Sequence, residues 1–188
     1  MKKILFVNAC IRENSRTEEL SRRYLEKMKD EYQVEEVKVA ELDIKPFDAV
    51  ALKQRDSDTA QGKLDPEKYH LAHQFAAADA IVIAAPYWDC LFPSILRVYL
   101  EQICVGGITF AYRENGSLVK KCHADKMAYI TTCGGFLPDC PAIESLIREL
   151  GVLFSIDDVR FYAAEGLDID PSKVQESLNQ VLAEMQYR

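Results

Sequence analysis

The feature that most constrains this chain is a set of short apolar runs without polar alternation: "ILFV" at 4–7, "AIVIAA" at 80–85 and "MAYITT" at 127–132. A strand with one wet face alternates apolar and polar residues. These runs need cover on both faces, which is the pattern of a parallel sheet flanked by helices. "QVEEVKVA" at 33–40 interrupts its valines with charges and suits an edge strand, and "DVRFYAAEG" at 158–166 supplies a fifth strand. Helical signals separate the strands. Leu20, Tyr24 and Met28 stand at helical spacing after Ser15, Asp65-Pro66 opens a segment carrying Leu71 and Phe75, and Pro93 opens one carrying Leu96, Tyr99, Leu100 and Ile103. After Pro141, Ile143, Leu146, Ile147 and Leu150 form one apolar stripe with Gly151 as its stop, and Asp170-Pro171 introduces a last helix running almost to Arg188. Five β–α units joined by right-handed crossovers give an α/β fold, a doubly wound five-stranded parallel sheet with helices on both faces.

Two stretches break the alternation. Residues 41–64 read as a long polar connection, and residues 105–120, with Asn115-Gly116 between apolar neighbours, read as a hairpin. No repeat or linker divides the 188 residues, so a single domain spanning 1–188 is expected. A net charge of -7 argues against a nucleic-acid surface, which requires clustered Lys and Arg, but not against one local anion site. No stretch approaches membrane-spanning length, and Asn8 and Arg12 end the apolar run after Lys2-Lys3 too early for a signal peptide, so a cytoplasmic location is expected. The six cysteines contain no Cys-x-x-Cys pair, which favours reduced thiols over a zinc or iron–sulfur site. His70, His73 and His123 lack a matching carboxylate pattern, and no metal is expected.

In open α/β sheets ligands bind beyond the carboxyl ends of the strands, where the strand order reverses. That singles out the turns after the first, third and fourth strands of the sheet: "NACIRENSRT", "APYWDCLFP" and "TTCGGFLPDCP". The first has no glycine, so it carries neither a Walker loop nor a dinucleotide fingerprint. It does offer Ser15, Arg16 and Thr17 at the start of a helix, where Ser15 and Glu18 also read as a capping box. The second holds Tyr87 and Trp88, the only tryptophan, between Pro86 and Pro93. The third has Gly134-Gly135, which let backbone approach a flat acceptor closely. A phosphate, a flat ring and a polar ring edge would be held together, a combination that describes flavin mononucleotide (FMN).

The block "APYWDCLFPSILRVYLEQICVGGITFAYRENG", with "TTCGGF" and "FYAAEG", resembles the flavodoxin-like FMN-dependent NAD(P)H oxidoreductases, in particular the azoreductase and quinone reductase group. The resemblance covers residue 3 to about residue 168. It implies bound FMN, with NADH or NADPH as donor and a quinone, azo compound or similar small molecule as acceptor, in a ping-pong sequence. It also implies a homodimer in which 41–64 helps to build the partner's pocket. Ser15, Arg16 and Thr17 match the family's phosphate turn. Pro86, Tyr87, Trp88, Asp89 and Cys90 match the loop along the isoalloxazine ring, and Thr132, Cys133, Gly134 and Gly135 match the loop at its pyrimidine edge. No side chain is expected to act as a nucleophile, so no catalytic residue is named. The chain departs from its relatives at Trp88 and Asp89, where many have Tyr and Asn, and at Cys133, where azoreductases often have Arg. The histidine that some relatives carry after the paired glycines is missing. Two rivals are a hydrolase or amidotransferase using Cys133 as nucleophile, which needs a nearby base, and a non-enzymatic flavodoxin-like electron carrier.

Overall fold

The computed structural model describes residues 1–186. Its centre is a parallel sheet of β1 (Lys2–Asn8), β2 (Tyr32–Lys38), β3 (Ala80–Ala84), β6 (Lys126–Thr132) and β7 (Asp158–Ala164), in the spatial order β2-β1-β3-β6-β7. The charged β2 lies at one edge, as its interrupted valines require. Register alternates the side chains of each inner strand between two cores. On one face Leu5, Val7, Ile81, Ile83, Met127 and Tyr129 pack with residues of α3 (His70–Ala77), α4 (Ser94–Ile103) and α5 (Ala142–Phe154). On the other, Ile4, Phe6, Val82, Ala128 and Ile130 pack beneath α1 (Arg16–Glu26) and α6 (Val174–Glu184). Each fully buried Leu, Ile or Phe contributes about 1.5–3 kcal/mol, and it is this two-sided burial that the uninterrupted apolar runs encode.

The expected hairpin is present. β4 (Phe110–Tyr112) pairs antiparallel with β5 (Leu118–Lys120), and Gly116 takes a positive φ of 79° in the turn. The expected polar connection at 41–64 is instead largely helical. α2 (Ala49–Gln61) is capped by Asp48, whose carboxylate accepts from the Ala51 amide at 2.8 Å, and stops at Gly62 with φ 66°. Its one buried residue is Asp58, so it lacks the apolar stripe that marks a helix in sequence. Asp58 is bound by the Lys68 ammonium, by the Tyr69 hydroxyl at 2.8 Å and by Gln54 Nε2 at 2.8 Å. Those partners, Lys68 first, hold its carboxyl down at about 2. Asp65 accepts from the amides of Glu67 and Lys68 in a separate turn, and Tyr69 leaves helical geometry, so α3 starts at His70 rather than at Pro66.

Two further boundaries differ from expectation. Gly151 lies within α5, which continues to Phe154 and ends on Ser155 in the left-handed region. The last helix begins with a 3-10 turn at Pro171–Lys173, and α6 ends at Glu184; residues 187 and 188 lie outside the described ones. Among the described residues no helix is long and apolar enough to cross a membrane.

Candidate functional site

Strand order reverses between β1 and β3, so the loops that leave them diverge to opposite faces and open a crevice. A cavity of ≈ 560 Å³ lies there, lined from the loops after β1, β3 and β6 together with the loop after β7.

The first loop leads into the amino end of α1. Asn14 takes φ 56°, turning the chain into α1, and Ser15 Oγ caps the helix by accepting from the Glu18 amide at 3.3 Å. The return arm of the capping box is absent. The Glu18 carboxylate goes to Arg22 Nε at 2.8 Å, and that of Glu19 pairs with Arg23 and accepts from Gln175. Both acidic side chains are therefore committed along the helix. The first-turn amides of Arg16 and Thr17 have no acceptor among the described residues, and the helix dipole adds its positive end there.

The side chains of Arg16 and Thr17 are otherwise engaged. Arg16 spans to the loop after β7, 2.7 Å from Asp168 Oδ1 and 3.2 Å from the Leu167 carbonyl. The Thr17 hydroxyl is buried against that of Thr132 at 2.7 Å.

In the second loop, Tyr87 N–H donates to the Thr132 carbonyl at 3.0 Å, and Trp88 and Leu91 exchange two backbone hydrogen bonds of 2.8 Å. The residues between them, Asp89 at φ 50° and Cys90 at φ 66°, both occupy the left-handed region. Asp is among the residues such a two-residue turn accepts at its first position, whereas Cys90 stands where Gly is usual, at a cost of about 1–3 kcal/mol. It presents Trp88 and Asp89 to the cavity and turns Cys90 out to solvent, where it does not line the site. The Arg12 guanidinium lies over the Trp88 ring, 4.8 Å from its centroid.

The third loop is tied to the one after β7. Amides of Gly166, Leu167 and Asp168 donate to the carbonyls of Gly135, Cys133 and Gly134 at 2.7, 3.2 and 3.0 Å. A Cβ at Gly134 would collide with the Asp168 carboxylate, which would have to move aside to admit it. Gly135 is exposed and outside the lining. Cys133 is buried, its thiol donates to the Gly135 carbonyl at 3.0 Å, and burial pushes its pKa up to about 11.

The thiol rival loses its chemistry here. Cys133 is held as the neutral thiol, and His123 precedes β6, at the end of the strand opposite Cys133, with its amide bonded to Ala76. No histidine lines the cavity. The described residues contain no cluster of His, Cys, Asp or Glu able to hold a metal ion.

Ser15, Arg16, Thr17, Pro86, Tyr87, Trp88, Asp89, Thr132, Cys133 and Gly134 thus meet in one cavity. Sequence reasoning missed Arg12 and Asn14 in the first loop and Leu167 and Asp168 after β7. The available signal was position, since both segments follow the carboxyl end of a sheet strand.

Helix-end amides, an aromatic wall and a glycine-bearing edge at a switch point define a crevice for a phosphorylated ligand with a flat ring, in a doubly wound α/β protein. A family described as having a flavodoxin-like fold matches residues 2–188, and the chain belongs to it. It is 34% identical over 179 residues to FMN-dependent NADH:quinone oxidoreductase 2 of Clostridium acetobutylicum, covering 90% of this chain and 88% of that protein. It is 32% identical over 191 residues to FMN-dependent NADH:quinone oxidoreductase of Clostridium beijerinckii, covering 97% and 95%. Among solved structures, an azoreductase from Bacillus anthracis superposes with a TM-score of 0.82 at 22% identity, covering 98% of this chain and 96% of the other. An FMN-dependent NADH-azoreductase from the same species, in complex with FMN, gives 0.79 at 21%, covering 98% and 97%. Those two likenesses concern the fold.

Proposed function

We propose that the chain is an FMN-dependent NAD(P)H oxidoreductase that passes two electrons, by a ping-pong sequence, to a quinone, azo compound or similar small acceptor. The observation that carries this reading is the meeting of three strand-end loops, each with a different chemistry, around one cavity of ≈ 560 Å³. The curated relatives, named as FMN-dependent NADH:quinone oxidoreductases, support it.

The residues present fit FMN. The free amides of Arg16 and Thr17 and the Ser15 hydroxyl would hold its phosphate, Pro86 to Asp89 would lie along the ring, and Thr132 to Gly134 would meet the ring's polar edge. Cys90 and Gly135 would shape those loops without touching the ligand. When bound, FMN supplies reversible two-electron chemistry between a reduced nicotinamide and the acceptor. The chain's part is to bind, orient and exclude water, and no side chain is assigned a nucleophilic or proton-transfer role. The cavity is open at its mouth, so donor and acceptor can use it in turn.

The whole chain, 1–188, would act as one flavin-binding domain within a homodimer. Support for the dimer comes from α2, which buries only Asp58 of its own residues while Val50 is 78% exposed. A cytoplasmic location is consistent with six cysteines that are all free thiols.

The purified protein is expected to show flavin absorbance, or to acquire it on adding FMN, and to bleach when NADH is added without oxygen. A colourless protein that takes up no FMN would overturn the proposal. A bound flavin that NADH leaves unbleached would point to an electron carrier instead.

A further inference from the structure

The arginines of the first loop and of α1 differ in how they are engaged. Arg16 is neutralised by Asp168 at 2.7 Å, Arg22 by Glu18 and Glu36, and Arg23 is shared between Glu19 and Asn179. Arg12 lines the cavity, is exposed, and makes neither an ion pair nor a hydrogen bond among the described residues. Its position is nonetheless set, because the guanidinium sits over the face of Trp88. Tryptophan is the strongest of the cation–π partners, and it leaves the N–H donors of the planar fork free.

We propose that Arg12 is a specificity-determining residue of this site, one that favours aromatic acceptors carrying a sulfonate or carboxylate over neutral acceptors of the same ring system. The proposal rests on the oxidoreductase reading above.

The surrounding charge makes this a local effect. The chain carries -7 overall, and Glu13 and Asp89 stand exposed at the same rim, so the general field repels anions. At physiological salt that field is screened beyond about 8 Å, whereas a guanidinium in contact with a sulfonate or carboxylate acts well inside that distance through short paired hydrogen bonds, and being exposed it weakens as salt rises further. A flat acceptor entering beside Trp88 brings its ring substituents within reach of Arg12. Preorganisation on the indole lowers the ordering cost of that contact.

The test compares two probes with one ring system, anthraquinone sulfonate and neutral hydroxymethylanthraquinone. Their dissociation constants are read by quenching of Trp88, the only tryptophan, with flavin absorbance recorded separately. Preference for the sulfonate is expected to fall about three- to tenfold in Arg12→Gln and to be largely kept in Arg12→Lys, since an exposed charge contact is worth on the order of 1 kcal/mol. In the unaltered protein, raising ionic strength should weaken the sulfonate more than the neutral probe. An unchanged preference in Arg12→Gln, or an equal loss for both probes, would overturn the proposal and leave Arg12 as a clip between two loops. If the Gln variant does not fold, equal salt dependence of the two probes would overturn it just as well. Absence of flavin would count against the oxidoreductase reading, while the fluorescence titration would still decide the role of Arg12.

Discussion

Thr17 shows what a single residue can and cannot announce. Its place at the start of α1 suggested a phosphate ligand, yet its hydroxyl is buried and shared with Thr132 at 2.7 Å, joining the first loop to the third. Thr17→Val would strand the Thr132 hydroxyl, at a cost of about 1–3 kcal/mol in unfolding free energy. Removing both hydroxyls should cost less than the sum of the single changes, because no orphaned group remains. Urea denaturation of the four proteins of this cycle checks it, and simple additivity would show that the two hydroxyls do not act as a pair. Ser15 was legible because capping is a local signal, read within three residues. The partner of Arg16 was not, since Asp168 stands 152 residues away in the chain. Local patterns reveal which groups a loop offers, but not which of them the fold has already used.

At the level of elements, legibility followed burial. The inner strands show as short uninterrupted apolar runs and β2 as an edge strand by its interrupted valines, so all five were visible in the sequence. α2 was hidden because the group it buries is the Asp58 carboxylate, held by three polar partners, and a helix without an apolar stripe reads as loop. Gly151 misled in the opposite direction. Glycine after an apolar stripe usually ends a helix, but here it sits inside α5 because β7 passes too close for a side chain, with Val159 Cγ2 in the space a Cβ would fill. Gly151→Ala therefore sets two effects against each other. Helix propensity would gain about 1 kcal/mol, and overpacking would cost about 1–3 kcal/mol. The obstructing Val159 lies on a sheet strand with little freedom to withdraw, so the net effect is expected to be destabilising, lowering Tm by a few degrees, about 2–4 °C per kcal/mol for a chain of this size. A raised Tm in a thermal melt would show that β7 yields.

For the whole molecule, the question is how a chain of net charge -7 holds a phosphate. The topology answers part of it, because the reversal between β1 and β3 brings the positive end of α1 to the mouth of the crevice. The loop after β7 works the other way, placing the Asp168 carboxylate on the same cavity and engaging the Arg16 guanidinium. Asp168 would then serve as a clasp between distant strand ends at some expense in anion affinity. Asp168→Asn keeps the shape and the backbone bond to Gly134 while removing the charge. As an exposed ion pair its loss should change stability by no more than about 1 kcal/mol. The freed Arg16 can turn to the phosphate, and a charge-assisted hydrogen bond of roughly 1.5–3 kcal/mol, reduced by its exposure, predicts FMN binding tighter by about three- to tenfold. Titration of the apoprotein by flavin fluorescence measures it, with riboflavin as the control that has no phosphate and should not gain. Weaker FMN binding would reverse the conclusion: the cradle would then depend on being held shut from β7 more than on the charge that the clasp consumes.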